Sequence, residues 1–213
     1  YHSLGILPTY VNSQYSDYAP IVTEDGKTMY FTSMRIADYE KENIWKAERI
    51  GRIWTKPVPV KNLNSDRNES IGSICSETNK MYIYGYYDNG KNRSGDIYSS
   101  DGAYGWSKPQ MISNINSDYL DTHPSVFNDT YMFFTSNRPE GFGGTDIYIS
   151  VKEDGVWSEP VNLGPIINTL RNEQTPFLDW DGETLYFSSN GHVGLGGYDI
   201  FRATKIGESW TEW

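Results

Sequence analysis

The sequence predicts an all-β protein: a four-bladed β-propeller made of four-stranded antiparallel blades. Three observations carry that expectation. A unit of 52 residues recurs four times, the composition suits short strands joined by turns, and no segment sustains a 3.6-residue apolar period. Aromatic residues make up 15% of the chain, led by 17 Tyr and 7 Trp, beside 20 Gly and 10 Pro. Tyr, Phe, Ile and Thr favour the pleated strand, while Gly, Pro, Asn and Asp punctuate it.

Each copy opens on Asn-Ser or Asn-Thr, at Asn12-Ser13, Asn64-Ser65, Asn116-Ser117 and Asn168-Thr169. Five residues later stands an acid: Asp17, Glu69, Asp121, Glu173. A first strand follows and ends in a turn signal, Asp25-Gly26 in the first copy and Asp181-Gly182 in the fourth. The second and third copies use Glu77-Thr-Asn79 and Asn128-Asp129 there. The second strand is aromatic: Met29–Ser33, Met81–Gly85, Met132–Ser136 and Leu185–Ser189. The third begins at Asn43-Ile-Trp45, Asp96-Ile-Tyr98, Asp146-Ile-Tyr148 and Asp199-Ile-Phe201, and a tryptophan closes each copy at Trp54, Trp106, Trp157 and Trp210. A four-stranded unit cannot bury both of its faces alone, so neighbouring units must pack together, and radial packing gives a propeller.

The ends of the chain complete the expectation. After Trp54, Trp106 and Trp157 the chain runs on through Pro57-Val58, Pro109-Gln110 and Pro160-Val161, but after Trp210 it stops at Trp213. The last blade therefore lacks most of its outer strand, and Leu4-Gly-Ile-Leu7 is expected to supply it, closing the ring and covering an open sheet edge. The competing expectation is a longer propeller cut between blades. The whole of 1–213 reads as one domain, opening on Tyr1, as a processed or trimmed chain would.

Charge and composition exclude several functions. With 18 basic and 28 acidic residues the formal charge is −10 and the pI about 4.7, so a nucleic acid partner is not expected. No apolar run reaches the roughly 20 residues of a membrane helix. Cys75 is the single cysteine, which rules out an intrachain disulfide and a thiolate metal cluster. A monomer is expected.

The run Trp157-Ser-Glu-Pro-Val-Asn-Leu-Gly164, followed by Asn168, Glu173, Pro176, Asp181-Gly-Glu-Thr-Leu-Tyr-Phe-Ser-Ser-Asn190 and Gly196-Gly-Tyr-Asp-Ile-Phe201, resembles the TolB-like, WD-repeat-like propeller repeat. All four units match. The first departs at Ile36-Ala-Asp-Tyr-Glu-Lys-Glu42 and the second at Gly85-Tyr-Tyr87. The resemblance implies an exported protein, periplasmic, outer-membrane-associated or extracellular. It further implies a non-catalytic binding or scaffold module with an envelope protein as partner, commonly with six or more blades.

The residues themselves offer four candidate chemistries. The acids Asp17, Glu69, Asp121 and Glu173 form a candidate ring of oxygen ligands for Ca²⁺ at one channel mouth, or else each accepts backbone N–H bonds in the loop between blades. Asp96, Asp146 and Asp199 read as loop-capping carboxylates. Residues that break the four-fold pattern, Arg35, Tyr87, His123, Arg138 and His192, form a candidate polar and aromatic binding surface at one end of the ring, for a protein or a glycan. Asp121 and Glu173 are the one carboxylate pair nominated for glycosidase-like chemistry. His2, His123 and His192 lack zinc-site spacing, no Gly-x-Ser-x-Gly elbow is present, and the Gly141–Gly144 and Gly194–Gly197 loops precede strands rather than phosphate-binding helices. The leading expectation is a non-catalytic binding module, and the alternative is a lectin-like or carbohydrate-active propeller.

Overall fold

The computed structural model describes residues 6–35, 41–87 and 94–213. It is an all-β propeller with four blades in a ring. Blade one comprises β1 (Asp17–Val22), β2 (Thr28–Ser33) and β3 (Asn43–Ile50), with the short β4 (Ile53–Trp54) and β5 (Val58–Pro59) on its outer side. Blade two holds β6 (Glu69–Cys75), β7 (Lys80–Gly85), β8 (Asp96–Asp101) and β9 (Gln110–Met111). Blade three holds β10 (Asp121–Phe127), β11 (Tyr131–Ser136), β12 (Asp146–Glu153), β13 (Val156–Trp157) and β14 (Val161–Asn162). Blade four has three strands, β15 (Glu173–Leu178), β16 (Thr184–Ser189) and β17 (Asp199–Thr204). All the paired strands run antiparallel, as short hairpin connections require.

The hairpin between the first two strands is made in two ways. Gly26 and Gly182 take φ of +67° and +72° in blades one and four, where a side chain would be strained. Blades two and three place Asn79, Asn128 and Asp129 near +50°, the left-handed region that asparagine and aspartate tolerate best.

Every innermost strand carries a bulge, at Tyr18/Ile21, Ile71/Ser73, Thr122/Ser125 and Gln174/Phe177. In three blades the bulged residue, Ala19, His123 or Thr175, stands at φ of 50°, 51° or 53° immediately before a proline. That is a costly backbone choice, repeated where the strands converge on the channel. Blade two uses Ile71-Gly72 instead, because a Cβ at Gly72 would meet the Pro124 ring and carbonyl oxygen at 2.5 Å.

Three cores fill the junctions between blades. Tyr30 and Ile44 pack on Ile71, Met81 and Ile83; Tyr82 and Ile97 on Met132, Phe134 and Tyr148; and Phe133, Ile147 and Ile149 on Leu178, Leu185 and Phe187. Each buried side chain of this size contributes roughly 1.5–3 kcal/mol. The repeated asparagine latches each of these junctions. Asn64, Asn116 and Asn168 accept from the backbone N–H of Ile44, Ile97 and Ile147 at 2.7 Å and return an amide bond to the same residue's carbonyl. The closing tryptophan reaches back across the same junctions, Trp106 to Tyr30 at 5.7 Å, Trp157 to Tyr82 at 6.1 Å and Trp210 to Phe133 at 5.3 Å between ring centroids.

The strand expected from Leu4-Gly-Ile-Leu7 falls partly outside the described residues. Of its described part, Ile6 is 91% exposed, and Leu7 joins Val11 on the outer face of blade one, against Met29, Phe31 and Trp45.

Candidate functional site

The inner strands β1, β6, β10 and β15 line the channel, and their two ends carry different chemistry. At the starting end the four acids are tied into the loops before them. Asp17, Asp121 and Glu173 accept the backbone N–H of Ser13, Ser117 and Thr169 at 2.5, 2.6 and 2.7 Å, and Glu69 accepts the Ser65 hydroxyl. Ser33 and Ser189 donate to Asp17 and Glu173 at 2.5 Å. Protein donors therefore occupy the carboxylates of Asp17, Asp121 and Glu173 and one oxygen of Glu69, and among the described residues no group of three or more His, Cys, Asp or Glu gathers at metal-binding spacing. In these bonds the acids fix turns, the second of the two roles expected of them. The nominated pair Asp121 and Glu173 is corrected, since both are fully buried and committed to these bonds.

The residues expected to form an asymmetric binding surface turn out to share one structural duty. Arg35, Tyr87 and Arg138 stand at equivalent positions and His192 one residue later. Each bonds the backbone carbonyl just before the repeated asparagine: Arg35 to Val11 at 2.6 Å, Tyr87 to Leu63, Arg138 to Ile115 at 2.8 Å and His192 Nε2 to Ile167 at 2.8 Å. Arg35 and Arg138 also pair with Asp17 and Asp121 at 2.7 Å, and their side chains are only 11% and 15% exposed. Arg138 lies over Tyr148 at 4.9 Å and Arg35 over Phe31 at 4.8 Å. They face inward, and as a binding surface they are corrected. His123 is not brought to them. It sits on the strained bulge of β10, where crowding disfavours the charged imidazole and lowers its pKa to about 4, although the ring keeps contact with solvent.

Blade two is the weak member of this set. Gly85 stands where the other blades offer Ser33, Ser136 or Ser189, and Tyr87 brings no positive charge. Glu69 is thus buried with one oxygen lacking a partner, and burial pushes its pKa up to about 7. A carboxyl whose folded pKa lies above its unfolded value stabilises the fold least at high pH. Below pH about 4.5 it is protonated in both states, and between there and about 7 the unfolded chain alone ionises, so stability falls as pH rises. The loss across that window is expected to be on the order of 2–3 kcal/mol. Glu69→Gln should flatten this part of the stability–pH curve in urea titrations, and an unchanged curve would refute the assignment.

At the opposite end the channel opens into a cavity of about 640 Å³ that all four blades line. Its walls are the far ends of the inner strands and the turns beyond them: Ile21–Glu24, Ser73–Glu77, Ser125–Asn128, and Phe177, Leu178 and Trp180. The sequence reading missed this site, because its residues fall at turns where the repeat is least regular. The available signal was Trp180, an aromatic beside the Asp181-Gly182 turn that has no counterpart in the other copies. Trp180 is 82% exposed, and Phe177 and Val22 are half-exposed beside it. Two exposed carboxylates, Glu24 and Glu77, share the lining, which among the described residues includes no Lys, Arg or His. Glu77 accepts a bond from the Cys75 thiol at 3.1 Å, and this bond, with backbone donation, holds its carboxyl below the usual range. The cavity therefore offers aromatic faces, hydroxyl and amide groups, and negative charge.

No family model and no curated protein matches the sequence. Solved structures do match the fold. An α-L-arabinofuranosidase from Lactobacillus brevis superposes with a TM-score of 0.56 at 14% identity, covering 89% of this chain and 73% of that one. The protein has that fold. A GH43 β-xylosidase/α-arabinofuranosidase from a compost microbial metagenome gives 0.50 at 13% identity, covering 90% and 73%. A puromycin-hydrolyzing peptidase of Mycobacterium tuberculosis gives 0.53 at 14% identity over 89% of this chain but only 27% of its own. The expectation of a non-catalytic envelope scaffold is overturned by these neighbours, since those that match over most of both chains are glycosidases.

Proposed function

We propose that the protein is a carbohydrate-directed propeller whose site is the cavity at the hairpin-turn end of the channel. The observation that carries this reading is the pairing, in one cavity of about 640 Å³, of exposed Trp180 and Phe177 with the carboxylates Glu24 and Glu77. Aromatic faces stack on the apolar faces of sugar rings, and carboxylates accept bonds from sugar hydroxyls. The volume is that of an ordinary small-ligand site. The glycosidase fold likeness supports the same reading. With acids and no cation in the lining, neutral or amine-bearing sugars are favoured and uronic acids disfavoured.

Glycoside hydrolysis needs two carboxylates facing one bond. Glu24 and Glu77, on adjacent blades, take over that nomination from Asp121 and Glu173.

A glycan array with the wild-type chain tests the reading, and binding to one class of neutral or amino sugar is the expected result. Trp180→Ala should then weaken binding at least tenfold while leaving the melting temperature within a degree or two, because the indole is 82% exposed. A blank array, or wild-type affinity in Trp180→Ala, would refute the site.

A further inference from the structure

Three junctions between blades are latched alike, and the fourth junction has both halves of the latch but does not engage them. On one side stands the trailing face of blade four. Ile200 occupies the position of Ile44, Ile97 and Ile147, and Tyr186 that of Tyr30, Tyr82 and Phe133. Ile200 is 79% exposed, Phe177 and Tyr198 are half-exposed, and β17 is the free edge of a three-stranded sheet. On the other side stands the segment before blade one. Leu7 and Val11 pack on Met29, Phe31 and Trp45, while Ile6, Tyr10 and Asn12 are turned to solvent.

The repeat shows three times what covers such a face. In blades one to three the outer edge of the third strand pairs with two residues about six positions before the next asparagine: β5 on β3, β9 on β8 and β14 on β12. Ile6 and Leu7 stand at the matching distance before Asn12. The segment is also held as its counterparts are. Tyr10 donates to the Trp54 carbonyl at 3.0 Å, as Asn62 and Asn114 donate to those of Trp106 and Trp157 at 2.8 and 3.0 Å. Among the described residues no side-chain hydrogen bond is made by Asn12, and no ring contact joins Trp54 to Tyr186.

We propose that the trailing face of blade four is the docking surface for residues 6–12 and blade one of a second copy of this chain. The occupant adds Ile6-Leu7 as an outer strand to β17, latches Ile200 with Asn12 and lays Trp54 on Tyr186. A second copy is favoured over the chain's own first blade because the folded chain holds both halves ready and does not join them. The contact is head-to-tail, so it builds a closed ring of copies or an open row of them. It also covers a sheet edge and an apolar face that would otherwise stay exposed.

Sedimentation velocity of the intact chain from 1 to 200 µM tests this. The expected result is a mass that rises with concentration to at least that of a dimer. Ile200→Lys and Asn12→Ala should each return it to a monomer without changing the circular dichroism or the melting temperature at 1 µM. A monomer throughout the range overturns the proposal, whether the junction stays open or closes within one chain. Association undiminished in Ile200→Lys overturns it too. The sugar site shares Phe177 with this face and is read separately, by glycan binding at 1 µM, where the chain is expected to be monomeric.

Discussion

Arg138→Ala is expected to cost about 3 kcal/mol or more of folding stability, read as a fall in the urea midpoint. The guanidinium meets Asp121 at 2.7 Å and the Ile115 carbonyl at 2.8 Å, and Asp121 is fully buried. Removing the cation leaves a carboxylate in the core with only serine donors, and that uncompensated charge is the main part of the cost. Asp121→Asn on the Arg138→Ala background should recover part of the loss, because the stranded charge is then gone. If the single variant melts like the wild type, the tether is not structural, and Arg138 returns as a candidate surface residue.

Trp157→Ala is expected to cost about 3–5 kcal/mol, the usual range for a large buried aromatic. Its ring lies edge-on to Tyr82 of the preceding blade at 6.1 Å and carries Lys152 at 4.9 Å. It belongs to the core that joins blades two and three. Trp54→Ala removes the same repeat residue, but at the junction that is not engaged. There the ring meets Arg49 at 6.0 Å and, among the described residues, no ring of another blade, so a cost of about 1 kcal/mol is expected in dilute solution. Equal costs for the two variants would mean that the fourth junction is as tight as the one between blades two and three.

Much of this fold was legible because a repeat declares itself. The Asn-Ser pairs, the aromatic second strands and the closing tryptophans mark the same positions four times, and the structure gives each a shared task. The acids were legible in one of their two readings, since a residue kept in every blade suits a turn bond made in every blade. The residues Arg35, Tyr87, Arg138 and His192 misled for a physical reason. Their partner is a backbone carbonyl, which accepts from a guanidinium, a phenol or an imidazole alike. Three residue types thus do one job, and a sequence that looks asymmetric hides a symmetric contact.

The amino-acid sequence by itself determined the class of fold and the four-fold repeat of its blades, because strand alternation and turn chemistry are local. Only the tertiary structure decided where a ligand can sit. Glu24, Glu77, Phe127 and Trp180 are far apart along the chain and share no motif. They line one cavity because four inner strands converge on a channel and release their ends at the same rim. The tertiary structure likewise decided which junction stays open, since that depends on whether Asn12 and Ile200, at opposite ends of the chain, meet in space.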